Sequence, residues 1–249
     1  MSGHRIAAPQ IQTRQNSRFI GLDLRSPELL RRRPVIGLIL FLFGSLVFSA
    51  LTYNLFANGP LLALDRRIAF TLPAIGLKSP PYVKSIMDGG FYLGKDIVIA
   101  LDAILGLFYL YKRYWQELVM VTVGLWGSTL VFVTLSHLIG RVRPPTQIWI
   151  VVNIPGFPSG HAIAVVVFYG LLAYILAPKM PTTFLKWVVI ATALFIILFV
   201  GFSRVFTAGH YMTDILAGYA VGIAWDGAVF TGIEIYFNKR KRQHNGQKD

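Results

Sequence analysis

Long stretches of this chain carry no formal charge, and that constrains its fold more than any other feature. Pro34 to Leu64 contains no Asp, Glu, Lys or Arg, and neither does Leu118 to Gly140. A bilayer crossing takes about 20 mostly apolar residues, so both stretches read as membrane spans. Trp187 to Ser203 is another such run. The uncharged stretch Pro144 to Pro178 opens on a loop with Pro, Asn and Gly, which puts the start of its span near His161. Two further spans are interrupted, Asp96 to Tyr111 by Asp102 and Ile215 to Phe237 by Asp226 and Glu234. The expectation is an all-α, polytopic membrane protein with six transmembrane helices over residues 34–237. A basic cytoplasmic tail precedes it (1–33), and a second basic tail (238–249), expected to be disordered, follows.

Composition supports this reading. Only 14% of the residues are charged, against roughly 25% in soluble domains. The formal charge of +13 is one that nucleic-acid binders also reach, but on more polar chains. The expected partner is therefore the bilayer and not nucleic acid. With no cysteine, disulfides, thiolate metal sites and cysteine nucleophiles are excluded. The first 33 residues hold seven Arg and no apolar core, so no cleavable signal peptide is expected. A mitochondrial transit peptide is the competing reading of that start, but six-span chains of this kind are commonly bacterial. With the N-terminal tail inside, 16 of the 24 Lys and Arg fall on the cytoplasmic side, as the positive-inside rule requires. The expected location is the bacterial inner (cytoplasmic) membrane, with both termini cytoplasmic. Residues 58–94, the longest connection, read either as an interfacial amphipathic segment or as an irregular connector.

Alternation of the spans brings three polar stretches to the extracytoplasmic side: GRVRPP at 140–145, FPSGH at 157–161 and SRVFTAGHYMTD at 203–214. They hold His161, His210, Arg141, Arg143 and Arg204, with His137 close by, and Leu118 to Thr213 contains no acid. Hard cations need carboxylate-rich oxygen sets, so no metal or cofactor is expected. Guanidinium forks match a phosphate or carboxylate anion. Ser159 and Gly160 fall where a helix should begin, so backbone N–H groups and the Ser159 hydroxyl can meet oxyanions there. His210 and Asp214 are four apart and share a face if the last helix has already begun. The carboxylate then orients the imidazole, leaving its other nitrogen as a nucleophile. His161 is the natural general acid for the departing oxygen, and afterwards the base for water.

These residues resemble the type 2 phosphatidic acid phosphatases, the membrane branch of the PAP2 and vanadium haloperoxidase superfamily. PSGH is complete at Pro158 to His161. SRxxxxxHxxxD is complete from Ser203 and Arg204 through His210 to Asp214. KxxxxxxRP is half matched, with Arg143 and Pro144 in place but Ser136 at the lysine position. The resemblance covers residues 90–237 and implies a six-helix PAP2-type bundle with a phosphohistidine at His210. It also implies a phosphate clamp of Arg143 and Arg204, in which no residue inherits the lysine role. Arg141 is the expected substitute, with His137 the other nearby candidate.

Each feature also has a plainer reading. His161 can be a cap, His210 and Asp214 a helix-end ion pair, and the arginines can snorkel to headgroups. Asp102, Asp226 and Glu234 are expected to be structural. The expected activity is metal-independent hydrolysis of a lipid phosphate at the extracytoplasmic face. Phosphatidic acid, phosphatidylglycerol phosphate and undecaprenyl pyrophosphate are the candidate substrates. The alternatives are a lipid phosphotransferase and a non-catalytic lipid-binding or translocating protein. A haloperoxidase would need vanadate and is typically soluble.

Overall fold

The structure, a computed structural model, describes residues 34–145 and 154–245. The N-terminal tail expected over 1–33 lies outside them. Among the described residues eight α-helices follow one another: α1 Pro34–Phe56, α2 Leu61–Lys78, α3 Pro81–Gly94, α4 Asp96–Lys112, α5 Trp115–Ile139, α6 Gly160–Leu176, α7 Thr183–Phe206 and α8 Met212–Asn245. There is no strand among these residues, and five of the described helices, α1, α5, α6, α7 and the Met212–Phe237 part of α8, are long and apolar enough to cross a membrane. The expected sixth span corresponds to α4, which at 17 residues is shorter.

α6 occupies the centre because it is apolar all round, the pattern of a buried helix. Its Val165, Phe168 and Tyr169 pack with Val98 of α4, Leu125 of α5 and Val200 of α7, and its Ile163 and Val167 pack with Val221 of α8. Leu46 of α1, Leu107 of α4 and Phe195 of α7 face outward, as lipid-facing side chains must. Lipid tails are as apolar as Leu, so helix association there rests on close packing of small residues. The α1–α8 seam shows this: a Cβ on Gly227 would lie 2.6 Å from the carbonyl oxygen of Gly37, and one on Gly44 would lie 2.8 Å from the amide nitrogen of Ala224.

α5 is interrupted by a π-helical turn, Val123–Gly127. Trp225 of α8 fills it: the indole lies against Gly127 and its Nε1 donates to the Gly124 carbonyl at 2.9 Å.

Two expectations are corrected. Residues 58–94 do not form an irregular connector but fold as the helices α2 and α3, the second opening with Pro81 at its first position, where proline's fixed φ suits a helix. The chain after Asn238 continues α8 to Asn245. Its Lys and Arg are strong helix formers, and their charge complements a helix C-terminus.

Candidate active site

α8 begins at Met212, so His210 precedes the helix and does not share a helical face with Asp214. The two meet through the geometry of the helix start instead. Asp214 reaches back, its Oδ2 accepting the Tyr211 N–H at 2.9 Å, the backward half of a capping box. That places Oδ2 3.5 Å from His210 Nδ1. The closer partner of Nδ1 is the carbonyl of Gly156, at 2.9 Å. A carbonyl can only accept, so Nδ1 carries the proton and Nε2 keeps its lone pair. Nε2 in turn accepts from Arg143 Nη1 at 2.9 Å. Burial, then the charges of Arg143 and Arg204, hold His210 well below the usual histidine range, so the imidazole is neutral at neutral pH.

Arg143 is fixed by two carbonyls, Ile154 at 3.0 Å from Nε and Gly209 at 2.8 Å from Nη1. Arg204 ends α7, where its own carbonyl accepts the N–H groups of Gly209 and His210. Its guanidinium lies against Gly209 so closely that a Cβ there would collide with it. Among the described residues the buried Arg204 Nε has no hydrogen-bond partner.

His161 stands in the first turn of α6 with its ring centroid 6.4 Å from that of His210, and its buried Nε2 also has no partner among the described residues. Ser159 is the N-cap, its hydroxyl accepting from the Ala162 N–H at 3.4 Å and its own N–H donating to the Asp214 carbonyl at 3.0 Å. Its side chain is fully buried, and the hydroxyl expected to meet phosphate also caps α6. Gly160 lines the cavity described below, and a Cβ there would lie 3.0 Å from the Phe132 ring.

Arg141 is corrected most. It joins Asp214 Oδ1 at 2.5 Å, Thr213 Oγ1 at 2.7 Å and Asp65 Oδ2 of α2 at 2.7 Å, and its guanidinium stacks 4.2 Å from the centre of the Tyr211 ring. Asp65 also accepts from the backbone and hydroxyl of Thr213. With both terminal guanidinium nitrogens committed to carboxylates, Arg141 braces the start of α8 and is not among the residues that line the cavity with Arg143 and Arg204. His137 is exposed and bonds back to Val133. Ser136, at the lysine position, is buried and donates to the Val133 carbonyl at 3.1 Å.

A cavity of about 650 Å³ opens in front of these groups. Arg143, His161 and Arg204 form its polar end, and Phe91, Leu125, Trp126 and Ile163 are among its apolar walls. This suits a ligand with an anionic head and apolar tails. Lys95 and Asp88 also line it; sequence reasoning missed both, and Asp65 as well. Asp65, next to Arg66 and Arg67, reads as an ordinary surface charge, and nothing in the sequence spacing links α2 or α3 to the motifs.

The sequence matches the PAP2 superfamily over residues 97–236, more than half of the chain. It is 31% identical over 148 residues to phosphatidylglycerophosphatase B of Bacillus subtilis (strain 168), covering 57% of this chain and 71% of that protein. The fold is similar to the crystal structure described as the first transmembrane PAP2 type phosphatidylglycerolphosphate phosphatase from Bacillus subtilis. The TM-score is 0.64 with 27% identity, covering 82% of this chain and 96% of that one.

Proposed function

The chain belongs to the PAP2 superfamily, and we propose that it is an integral-membrane lipid phosphatase that works through a phosphohistidine at His210. The observation that carries this reading is one cavity whose apolar walls end on Arg143, His161 and Arg204, with the His210 lone pair directly behind Arg143. Guanidinium groups prefer a phosphate's oxygens to a neutral imidazole. The arriving phosphate therefore draws Arg143 off Nε2, and the nucleophile is uncovered as the substrate is bound.

In the first step His210 Nε2 attacks phosphorus, the N–P bond forms and the P–O bond to the lipid breaks. His161, on the other side of the phosphoryl group, gives its proton to the departing oxygen. Water then attacks phosphorus, His161 takes its proton, and the N–P bond breaks to release inorganic phosphate. Asp214 and the Gly156 carbonyl hold the His210 Nδ1 proton throughout, favouring the positive charge that develops on the ring. Arg143 and Arg204 stabilise the charge on the transferring group, and the N–H groups of the first α6 turn, opened by Gly160, add to it.

The reaction needs no divalent metal in this scheme, because the arginines supply the charge and the Asp214 carboxylate is held by Arg141. The distribution of Lys and Arg supports an extracytoplasmic site with both termini inside, in a bacterial cytoplasmic membrane. The named relative favours phosphatidylglycerol phosphate among the candidate substrates.

The test is phosphate release by purified protein from a panel of lipid phosphates and pyrophosphates, with EDTA present and no acceptor alcohol added. Release that requires an acceptor would make the protein a phosphotransferase. Full activity in His210→Ala would end the phosphohistidine reading.

A further inference from the structure

One cation in the cavity has no part in the chemistry above. Lys95 stands between α3 and α4, and with Asp88 and Phe91 of α3 it makes a row of side chains along the cavity wall. The Phe91 ring fixes its position relative to the site. The His161 ring centroid is 5.0 Å from that of Phe91, Arg204 Cζ is 5.1 Å away and Lys95 Nζ is 5.6 Å away. The neighbouring backbone touches the general acid directly: a Cβ on Gly94 would lie 3.2 Å from His161 Cδ2. Among the described residues no carboxylate pairs with Lys95. Asp88, two turns earlier, is within electrostatic reach of Arg204, and its charge would repel an anion from that end of the row.

Lys95 is thus on the His161 side of the site. In an in-line displacement the leaving group departs on the side opposite the nucleophile, which is where its proton donor must stand. An ammonium with no carboxylate partner among the described residues gains no ionic contact there when the leaving group is a neutral diacylglycerol. It has a partner when the leaving group carries a phosphate of its own.

We propose that Lys95 forms a second anion subsite, which binds a phosphate carried by the leaving group and selects lipids that release an anionic product over those that release a neutral one. The inference rests on the lipid-phosphatase reading and deepens it. Two kinds of lipid provide such a leaving group: one with a phosphodiester next to the terminal phosphate, and one with a pyrophosphate.

The experiment measures kcat/KM of the full-length protein on phosphatidylglycerol phosphate, a prenyl pyrophosphate and phosphatidic acid, for wild type, Lys95→Gln and Lys95→Arg. Each result is expressed as a ratio to phosphatidic acid, so partial loss of folded protein cancels. The expected result is a ratio about tenfold lower in Lys95→Gln for at least one of the two anionic-product lipids, the scale of a lost charge-assisted hydrogen bond. Lys95→Arg should restore most of it. A fall confined to phosphatidylglycerol phosphate assigns the subsite to a phosphodiester, and one confined to the pyrophosphate assigns it to a second phosphoryl group. Unchanged ratios, including the case where all three activities drop together, overturn the subsite. No phosphate release from any lipid by wild type would instead remove the phosphatase reading beneath it.

Discussion

Arg143 donates to His210 Nε2 across 2.9 Å, so the atom proposed to attack phosphorus is covered by the residue proposed to bind phosphate. One contact thus links occupancy of the site to its reactivity. With no anion bound, the arginine satisfies a buried lone pair. With one bound, the same arginine has a better acceptor.

This arrangement sets the pH response. Burial, then the neighbouring arginines, hold His210 well below the ordinary value in the folded chain, while the unfolded chain titrates near 6.5. Between those two values the unfolded chain binds more protons, so this residue lowers stability as pH falls below about 6.5. Above it both states are neutral at this position and the dependence vanishes. The acid limb of kcat/KM should therefore lie below pH 6.5, and Arg143→Gln should move it to higher pH while lowering the maximum. A pH profile of phosphate release checks both, and a limb that fails to move in Arg143→Gln would refute the electrostatic account.

Arg141 tests a different kind of effect. Asp65 and Asp214 are fully buried beside it, and removing one partner of a buried pair costs about 3–5 kcal/mol. Arg141→Gln should lower the midpoint of thermal unfolding by roughly 10 °C, at about 2–4 °C per kcal/mol for a chain of this size. Adding Asp65→Asn removes one stranded charge and should recover part of the loss, because residues in one network are not additive. If Arg141→Gln instead melts normally but binds substrate weakly, Arg141 is a phosphate ligand after all.

His161 should matter in proportion to how much its proton is needed. General acid catalysis contributes about 10²–10⁴-fold, so His161→Asn should lose that much on a lipid phosphate, whose alkoxide leaves poorly. On p-nitrophenyl phosphate, whose phenolate leaves unaided, the loss should be far smaller for the covalent step. Burst kinetics on the two substrates separates the steps, and equal losses would show that His161 does not protonate the leaving group.

Gly209 offers a change that spares every charged side chain. Because a Cβ there would strike the Arg204 guanidinium, Gly209→Ala should displace one half of the phosphate clamp. A loss on the order of 100-fold in kcat/KM is expected, the scale of a misplaced oxyanion donor. The thermal midpoint should change little, and full activity would mean that Arg204 does not hold phosphate in the position seen here.

The sequence and the structure agree most closely where function depends on short spacings. His161, Arg143, Arg204, His210 and Asp214 are all legible from three local motifs, and the structure brings them together. The roles read from local geometry alone hold less well. The i to i+4 spacing of His210 and Asp214 suggests a shared helix face, yet the helix starts between them and a backward cap makes the contact. Ser159 looks like a phosphate ligand at a helix start, and the structure adds a capping role that the motif does not announce. Arg141 looks like a free cation only while Asp65 is out of sight, 76 positions away in the chain. Lys95 is invisible for the same reason: its relation to His161 runs through the packing of α3 against α6, which no spacing records. The uncharged stretches likewise announce the spans but not α2 and α3, whose mixed composition fits a helix and a connector equally well.

The indole of Trp225, seated in the π turn of α5, lies 11 residues beyond Asp214 on α8, about 16 Å along the axis at 1.5 Å per residue. The C-terminal end of α5 feeds the segment with Arg141 and Arg143, and the N-terminal end of α8 carries Asp214 just after His210. The two segments of the candidate active centre therefore hang from a shared, half-buried pin between α5 and α8. A slide of one helix past the other by a single residue would pull the imidazole away from the guanidinium that covers it. The alignment of nucleophile and clamp is thus gauged far from the reacting atoms, like the zero of a vernier.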